Sequence, residues 1–397
     1  MDEKQIEEIK KTVKSVPVSS GRGNKFGKIS FEELVFLPAQ LSKRPVDYYR
    51  EKISSRTIIG KLSKKPVEIE TPIIIGAMSF GALSREAKIA LAKASKMAGT
   101  VANTGEGGML PEEREFAKFL TVQYSTGRFG ITEEILKKAD AIEIKIGQGA
   151  KPGSGGFLPA AKLTEEIARI RNVVLGKDVH SPAYHLDIKN VEDLKNKIEW
   201  LRDLSGGAPI VLKLAAGDLE KDIQLAVQAD PDIIAIDGME GGTGAAPEVL
   251  LNEVGIPTLA ALVKAREILD KLSARQELWI GGGLNKSSDF AKALALGADA
   301  VFCATSLLIA MGCVYCRLCY LGRCPRGITT QDPELRKNLD IETAAQSVAG
   351  FIKNSTEEMK MIAGACGENN IHNLKKEHLR ALNPEIAELL NVKSVRD

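Results

Sequence analysis

From Pro72 onward, short apolar runs alternate along the chain with amphipathic stretches of helical period. The runs are rich in β-branched residues and end in small or polar ones, a pattern typical of buried parallel strands joined by helices. The predicted strands are 72–79, 100–104, 141–147, 178–181, 208–215, 232–238, 277–283 and 300–306. The predicted helices include 84–97, 164–172, 191–204 and 287–296, and Ser84 and Ser287 open the first and last of these as candidate caps.

Eight strand–helix units predict an α/β fold, a (β/α)8 TIM barrel with an N-terminal extension and a C-terminal helical extension. The predicted segments are an extension over 1–70, the barrel over 71–310, a cysteine loop over 311–330 and a charged helical segment over 331–397.

Composition narrows the classes of function. The 397 residues carry 54 Lys and Arg against 52 Asp and Glu, so a net charge of +2 gives no reason to expect nucleic acid or an anionic membrane as partner. The charged N-terminus and the lack of a long apolar run predict neither export nor membrane insertion. Crowding of four of the six cysteines into twelve residues favours a reducing compartment, and we expect a cytoplasmic protein.

The active site of such a barrel lies at the carboxyl ends of its strands. The seventh and eighth strands end in Gly281–Gly283 and Cys303–Ser306, each before a helix, which favours a phosphate site built from backbone N–H groups. The alternative is that these glycines only allow the chain to turn and bind no ligand. No G-x-G-x-x-G follows a first strand, so the phosphate is predicted to belong to FMN rather than to a dinucleotide.

Polar residues at other strand ends are candidates for the chemistry. Lys213 closes an apolar strand and either faces a ligand that develops negative charge or pairs with Asp237. Lys145, Gln148 and Lys151 could orient a dicarboxylate, although Lys151 could also be a solvated surface lysine.

Glu106 lies in the run TGEGG, where a carboxylate could orient an amine or imine or shuttle a proton. His185 and Asp187 could pair as a proton-handling unit or simply satisfy a loop contact.

Cysteines form the strongest local signal, C-x2-C-x2-C-x4-C-P from Cys313 through Cys316 and Cys319 to Cys324. This spacing is close to a ferredoxin run and predicts an iron–sulfur cluster, with zinc as the alternative. Cys303 and Cys366 are predicted to be buried apolar residues.

Several long motifs resemble the synthase domain of glutamate synthases. They are GAMSFGALS at 76–84, NTGEGG at 103–108, EIKIGQGAKPG at 143–153, STGRFG at 125–130, GGTGA at 241–245, MGC at 311–313 and TQDPELR at 330–336. The resemblance covers about residues 30–340 in family order.

The resemblance implies that ammonia and 2-oxoglutarate form an iminoglutarate, which reduced FMN converts to L-glutamate while a cluster returns electrons to the flavin. It implies substrate contacts by Glu106, Lys145, Gln148 and Lys151. The predicted cofactor-binding set is Ala77, Met78, Ser79, Thr104, Lys145, Lys213, Asp237, Gly241, Gly242, Gly282, Gly283, Ala304 and Thr305. The family ligates a three-iron cluster at the positions of Cys313, Cys319 and Cys324, and Cys316 is additional, so we predict a 4Fe-4S cluster with 3Fe-4S as the alternative.

Departures from the family pattern predict partners. The amidotransferase domain and an NADPH domain are absent, so the chain is expected to need free ammonia or an amidotransferase subunit, and a ferredoxin or an NADPH-oxidising subunit as electron donor. A homo-oligomer is compatible with the sequence. Ala304 replaces the glycine that the family has before Thr305.

Three competing functions stay open. The segments 237–243, 365–367 and 372–374 also resemble N-methylglutamate synthase subunits, so methylamine is a possible nitrogen source. A second possibility is an electron-transfer subunit that carries flavin and cluster but takes no substrate of its own. A third is a phosphate-binding barrel with a structural zinc.

Overall fold

The fold of the chain is an eight-stranded parallel barrel whose strands are buried on both faces. The structure, a computed structural model, describes Val13 and residues 16–22 and 29–397. The barrel strands are β1 Ile73–Ile75, β2 Val101–Asn103, β3 Phe119–Tyr124, β4 Ala141–Lys145, β5 Ile210–Ala215, β6 Ile233–Asp237, β7 Glu277–Gly281 and β8 Ala300–Cys303. Hydrogen bonds join them in the order β1-β8-β7-β6-β5-β4-β3-β2, so the predicted (β/α)8 fold is confirmed.

A helix follows each strand. These helices are α1 Arg85–Ala98, α2 Pro111–Phe116, α3 Glu133–Lys137, α4 Val191–Leu204, α5 Leu219–Ala229, α6 Thr258–Lys271, α7 Ser287–Ala295 and α8 Thr305–Ala310. Ser84 caps α1 as predicted, because its side chain accepts a hydrogen bond from the Ala87 backbone N–H. The predicted cap at Ser287 is wrong: Ser287 is the first residue of α7, and Lys286 occupies the cap position.

One of the eight predicted strands is wrong. The segment 178–181 contains only Val179–His180, which pairs antiparallel with Phe157–Leu158 outside the barrel. The strand that completes the barrel is β3, which was not predicted although five of its six residues are buried. Only two residues separate α2 from β3. In the sequence, the residues of β3 therefore look like a continuation of the helical segment before them and not like a separate strand.

Further elements surround the barrel. Short outer strands pair as Val18–Arg22 with Gly242–Pro247, Leu34–Phe36 with Leu379–Ala381, and Thr57–Ile59 with Val67–Ile69. The remaining α-helices are Glu165–Arg171, Glu248–Glu253, Pro333–Arg336, Ile341–Ala365 and Pro384–Leu390. The 3-10 turns are Phe31–Glu33, Ala160–Lys162, Cys319–Leu321, Ile371–Asn373 and Lys376–His378.

The long helix Ile341–Ala365 packs against α1 and α7 on the outside of the barrel. Its buried face, which includes Val348 and Ile352, belongs to the same apolar core as strand residues such as Ile142. The C-terminal segment is therefore helical, as predicted; the boundaries of the four segments stay predictions. Among the described residues, none of the helices combines the length and the apolarity that crossing a bilayer requires.

Candidate active site

One large cavity opens at the carboxyl ends of the barrel strands, with a volume of about 860 Å³. A volume of this order suits a cofactor or substrate site. All the residues predicted to bind the cofactor, the substrate or the cluster line this cavity except Thr104, which is fully buried and donates a hydrogen bond to the Gly105 carbonyl. The strand order explains the convergence, because parallel strands bring their carboxyl ends to one rim.

The strand register places Lys145 of β4 directly beside Lys213 of β5. Each lysine pairs with a different carboxylate. The Lys145 ammonium lies 2.9 Å from a Glu106 carboxylate oxygen and 2.7 Å from the Gln148 side-chain oxygen. The Lys213 ammonium lies 3.3 Å from an Asp237 oxygen and 4.7 Å from the centre of the Phe302 ring, so the ion pair that the sequence left as an alternative is present.

Electrostatics fixes the charge of Glu106. Burial disfavours its ionised form, but Lys145 and Lys151 outweigh burial and lower the pKa of this carboxyl to about 2. Lys151 is only 8% exposed, so the surface alternative for this lysine is wrong. Burial lowers the pKa of the Lys151 ammonium, while Glu106 opposes that shift.

Arg171 is a site residue that the sequence analysis missed. It ends the helix Glu165–Arg171, is buried, lines the cavity and donates two hydrogen bonds to the Phe80 carbonyl. The sequence feature that could have identified Arg171 is its position on the apolar face of a helix, four residues after the buried Ile167. Together with Lys145 and Lys151, its positive charge favours the ionised form of Glu106.

His185 and Asp187 do not form a direct pair. Arg128 lies between them and contacts the His185 Nδ1 at 2.6 Å and an Asp187 oxygen at 2.7 Å. Burial and Arg128 lower the pKa of His185 to about 4, so the neutral ring accepts at Nδ1 and its Nε2 donates to the Lys145 carbonyl at 2.8 Å. Neither residue lines the cavity, and their arrangement supports the backbone of Lys145.

The glycine loop after β7 packs closely against its neighbours at the cavity rim. Gly282 has φ +115°, and a Cβ there would lie 2.5 Å from the Thr258 hydroxyl and 2.9 Å from the Gly238 carbonyl. Only glycine fits this conformation and this space. Gly282, Gly283, Ala304 and Thr305 line the same side of the cavity, which leaves a wall of backbone where the phosphate site was predicted.

The four clustered cysteines all line the cavity wall that follows α8. Burial raises the pKa of Cys324, but hydrogen bonds from the backbone N–H and the hydroxyl of Thr329 and from the backbone N–H groups of Arg326 and Ile328 outweigh it and lower the pKa of this thiol overall. Within the described part of the chain, no group of three or more His, Cys, Asp or Glu side chains is arranged to hold a single metal ion. Cys303 and Cys366 are buried as predicted, and burial raises the pKa of each thiol.

An N-terminal strand covers one side of the cavity. Val18–Arg22 pairs with Gly242–Pro247, and the Ser20 hydroxyl donates to the Gly244 carbonyl at 2.6 Å. The same hydroxyl accepts from the Tyr320 backbone N–H at 2.8 Å, which ties the strand to the cysteine loop. The sequence predicted that this N-terminal segment packs on the barrel. The hydrophobic period of the segment is too weak to have indicated its contact with the cysteine loop.

Fold and site together define a (β/α)8 barrel of the architecture found in flavocytochrome b2 and (S)-mandelate dehydrogenase. A flavocytochrome b2 variant with benzoylformate aligns with a TM-score of 0.58 and 16% identity over 95% of this chain and 83% of that one. A variant of an active chimera of (S)-mandelate dehydrogenase aligns with a TM-score of 0.58 and 17% identity over 91% and 93%.

Sequence comparison is more specific than the fold. Residues 3–369 match the family described as the conserved region in glutamate synthase. A glutamate synthase large subunit-like protein of Rhizobium meliloti is 41% identical over 94% of this chain and 89% of its own length. An archaeal glutamate synthase [NADPH] of Methanocaldococcus jannaschii is 40% identical over 94% and 80%. The chain belongs to the glutamate synthase family, as its motifs predicted.

Proposed function

We propose that this chain is the synthase component of a glutamate synthase, in which 2-iminoglutarate formed from 2-oxoglutarate and ammonia is reduced to L-glutamate. The carrying observation is the charge balance at the substrate end of the cavity. Lys145, Lys151 and Arg171 all interact with the carboxylate of Glu106, so cations outnumber carboxylates at this end of the cavity. A dicarboxylate would supply compensating negative charge there.

The glycine wall, the cavity volume and Lys213 fit FMN. Gly282 and Gly283 would bring backbone to its phosphate, and the buried Lys213 ammonium would face its ring. When bound, the reduced flavin supplies a hydride. The barrel architecture is shared with a mandelate oxidase variant solved with an FMN adduct, which supports this assignment.

The residues of the chain then have distinct tasks. The cations bind the two substrate carboxylates, with Lys145 held in place by Gln148 and by its carbonyl bond to His185. Since its pKa is about 2, Glu106 is a carboxylate at neutral pH and orients an ammonium or iminium N–H instead of donating a proton. Lys151 is a better proton donor than Glu106, because burial lowers the pKa of the Lys151 ammonium.

An iron–sulfur cluster on Cys313, Cys316, Cys319 and Cys324 is part of the proposal. Backbone N–H groups that stabilise the Cys324 thiolate, and a 3.4 Å contact from the Tyr315 N–H to the Cys313 sulfur, are typical of cluster loops. Since the cysteines line the cavity of the proposed flavin site, electrons from a separate donor protein would enter through them. Ammonia would come from solution or from a separate amidotransferase subunit.

A single anaerobic experiment tests the function. The purified protein is reduced just to completion with dithionite and then mixed with 2-oxoglutarate and ammonium while flavin absorbance is followed. We expect reoxidation with one glutamate formed per flavin. Methylamine replaces ammonium in a parallel sample, and reoxidation there alone would assign the N-methylglutamate reaction. A flavin that stays reduced with both amines would contradict the proposal.

A further inference from the structure

The barrel has one seam, which is the gap between β1 and β2. These two strands are the ends of the hydrogen-bonded strand order, and no backbone ladder joins them in the part of the chain that the structure describes. They still lie in contact. All other neighbouring pairs of barrel strands are held by parallel ladders. At the amino end of the seam, the Glu70 N–H donates to the Gly99 carbonyl and the Thr100 hydroxyl donates to the Ile73 carbonyl, so the carboxyl end is the part that still needs a connection.

Lys88 of α1 reaches this seam from outside the barrel. It is 1% exposed, and its ammonium donates to the carbonyls of Met78, Asn103 and Thr104, the last two at 3.1 and 3.0 Å. These carbonyls belong to the segment after β1 and to the carboxyl end of β2. One cation therefore joins the two edges of the seam at the mouth of the cavity.

Glu113 is the acidic partner of Lys88, and burial raises the pKa of its carboxyl while Lys88 opposes that shift. Its carboxylate lies 2.9 Å from the Lys88 ammonium, and its side chain is 2% exposed. Its other oxygen accepts from the Leu110 backbone N–H at 2.9 Å, at the start of α2. A buried charge pair of this kind adds little to stability compared with apolar residues, so its geometry is the more important property.

Contacts at the seam show what this geometry controls. A Cβ on Gly105, where φ is +67°, would lie 2.6 Å from the Ser79 nitrogen, so the two loops meet backbone to backbone. Met78 and Ser79 line the cavity on one side of this contact, and Glu106 lines it on the other. A shift at the seam would move the proposed flavin contacts relative to the substrate carboxylate.

We propose that Lys88 is a positioning residue that closes the barrel seam at the cavity mouth and sets the loop 76–80 against the loop 103–106. The seam itself is a property of the fold. The consequence for FMN rests on the proposed function.

The test compares two variants of the full-length protein, K88M/E113Q and K292M. The double variant removes the Lys88 ammonium and its bonds across the seam, and it leaves no buried carboxylate unpaired. Lys292 is the matched control, since it is also a buried lysine on a barrel helix and donates to a carbonyl, that of Phe31 at 2.8 Å, outside the cavity lining.

Two readouts are used. In hydrogen exchange we expect K88M/E113Q to lose amide protection in residues 76–80 and 103–106, while K292M does not. In equilibrium dialysis we expect the Kd of K88M/E113Q for FMN to rise about tenfold or more, because the contacts of a preorganised site would be displaced. The proposal would be overturned if K88M/E113Q kept its amide protection in residues 76–80 and 103–106, or if K292M lost as much protection there as K88M/E113Q. If the unmodified protein binds no FMN, the proposed function fails, and the exchange comparison still decides the role of Lys88.

Discussion

At the scale of single residues, the charge on Glu106 is the property on which the site depends most. Its side chain is only 15% exposed, yet the pKa of its carboxyl is about 2, because burial is outweighed by Lys145 first and then by Lys151. The folded-state pKa is below the ordinary value of 4.5. The contribution of this charge to stability is therefore complete above that value and is lost as the pH falls toward 2.

Removing Lys145 should reverse the balance at Glu106. We expect the substitution Lys145→Met to raise the pKa of this carboxyl above 2 and toward or beyond its ordinary value, because the burial cost remains and the largest opposing charge is gone. The infrared band of a protonated carboxyl, followed with pH, measures the shift. The double variant K145M/E106Q identifies the band, and a band that persists there belongs to another acid.

Lys213 gives a second test at this scale. In the proposed site its charge favours the reduced, anionic form of the flavin, so K213M/D237N should lower the flavin midpoint potential and weaken FMN binding by about tenfold or more, as expected for a lost charge-assisted bond. Asp237 is replaced too because it would otherwise be buried without its partner. Dye-coupled reductive titration measures the potential, with D237N as control. Equal potentials in the two variants would assign Lys213 a structural role.

Sequence reasoning found the residues that follow strands and missed those that lie on helices. Glu106, Lys145 and Lys213 were found because a polar residue at the carboxyl end of a parallel strand faces the active site. Lys88 and Arg171 lie on helices, where a basic residue on an apolar face reads as an interruption of the pattern. Their roles depend on which carbonyls the fold brings within reach, and no local pattern contains that information.

At the scale of elements, β3 and the hairpin of Phe157–Leu158 with Val179–His180 show the limit of period-based prediction. The hairpin was mistaken for a barrel strand because a short β-branched run has the same appearance in both settings. Helices were predicted better: α4 begins and ends at the predicted residues, since its apolar positions repeat over four turns.

The cysteine loop gives an element-scale prediction. We expect anaerobically purified protein to contain about four irons per chain, held by four thiolates, and C316S to contain about three. Iron and sulfide analysis measures both. C366S is the control, because Cys366 is buried in the core away from the cavity and should leave the iron content unchanged. Three irons in the unmodified protein would show that Cys316 is not a ligand.

The strand Val18–Arg22 should stabilise the cysteine loop through Ser20. The substitution Ser20→Ala removes two hydrogen bonds, to Gly244 and from Tyr320, each contributing about 0.5–1.5 kcal/mol. We expect faster amide exchange at Cys319–Leu321 with little change in the barrel strands. S19A is the matched control, since the Ser19 hydroxyl makes only a 3.5 Å contact with the neighbouring Ser20 carbonyl. Identical exchange at Cys319–Leu321 in S20A and S19A would show that Ser20 does not hold the loop.

At the scale of the whole molecule, the core is continuous between the barrel and the C-terminal helix. Ile352 and Met359 of the helix Ile341–Ala365 are fully buried and belong to the same cluster as barrel residues such as Ile280. The helix packs on α1, which carries Lys88, so it supports the helix that spans the seam. A shared core favours one cooperative unfolding transition over two.

The substitution Ile352→Ala tests this continuity. Deleting a fully buried isoleucine side chain costs about 2–5 kcal/mol of unfolding free energy. Trp200 in α4 and Trp279 in β7 are the two tryptophans, and both report on the barrel. If the core is shared, denaturant unfolding followed by tryptophan fluorescence should shift to lower midpoint together with far-ultraviolet circular dichroism. V395A is the control, since Val395 is 52% exposed and should shift neither signal. A fluorescence midpoint that stays in place while the dichroism splits into two steps would mean that the C-terminal helix unfolds separately and that the barrel does not need it.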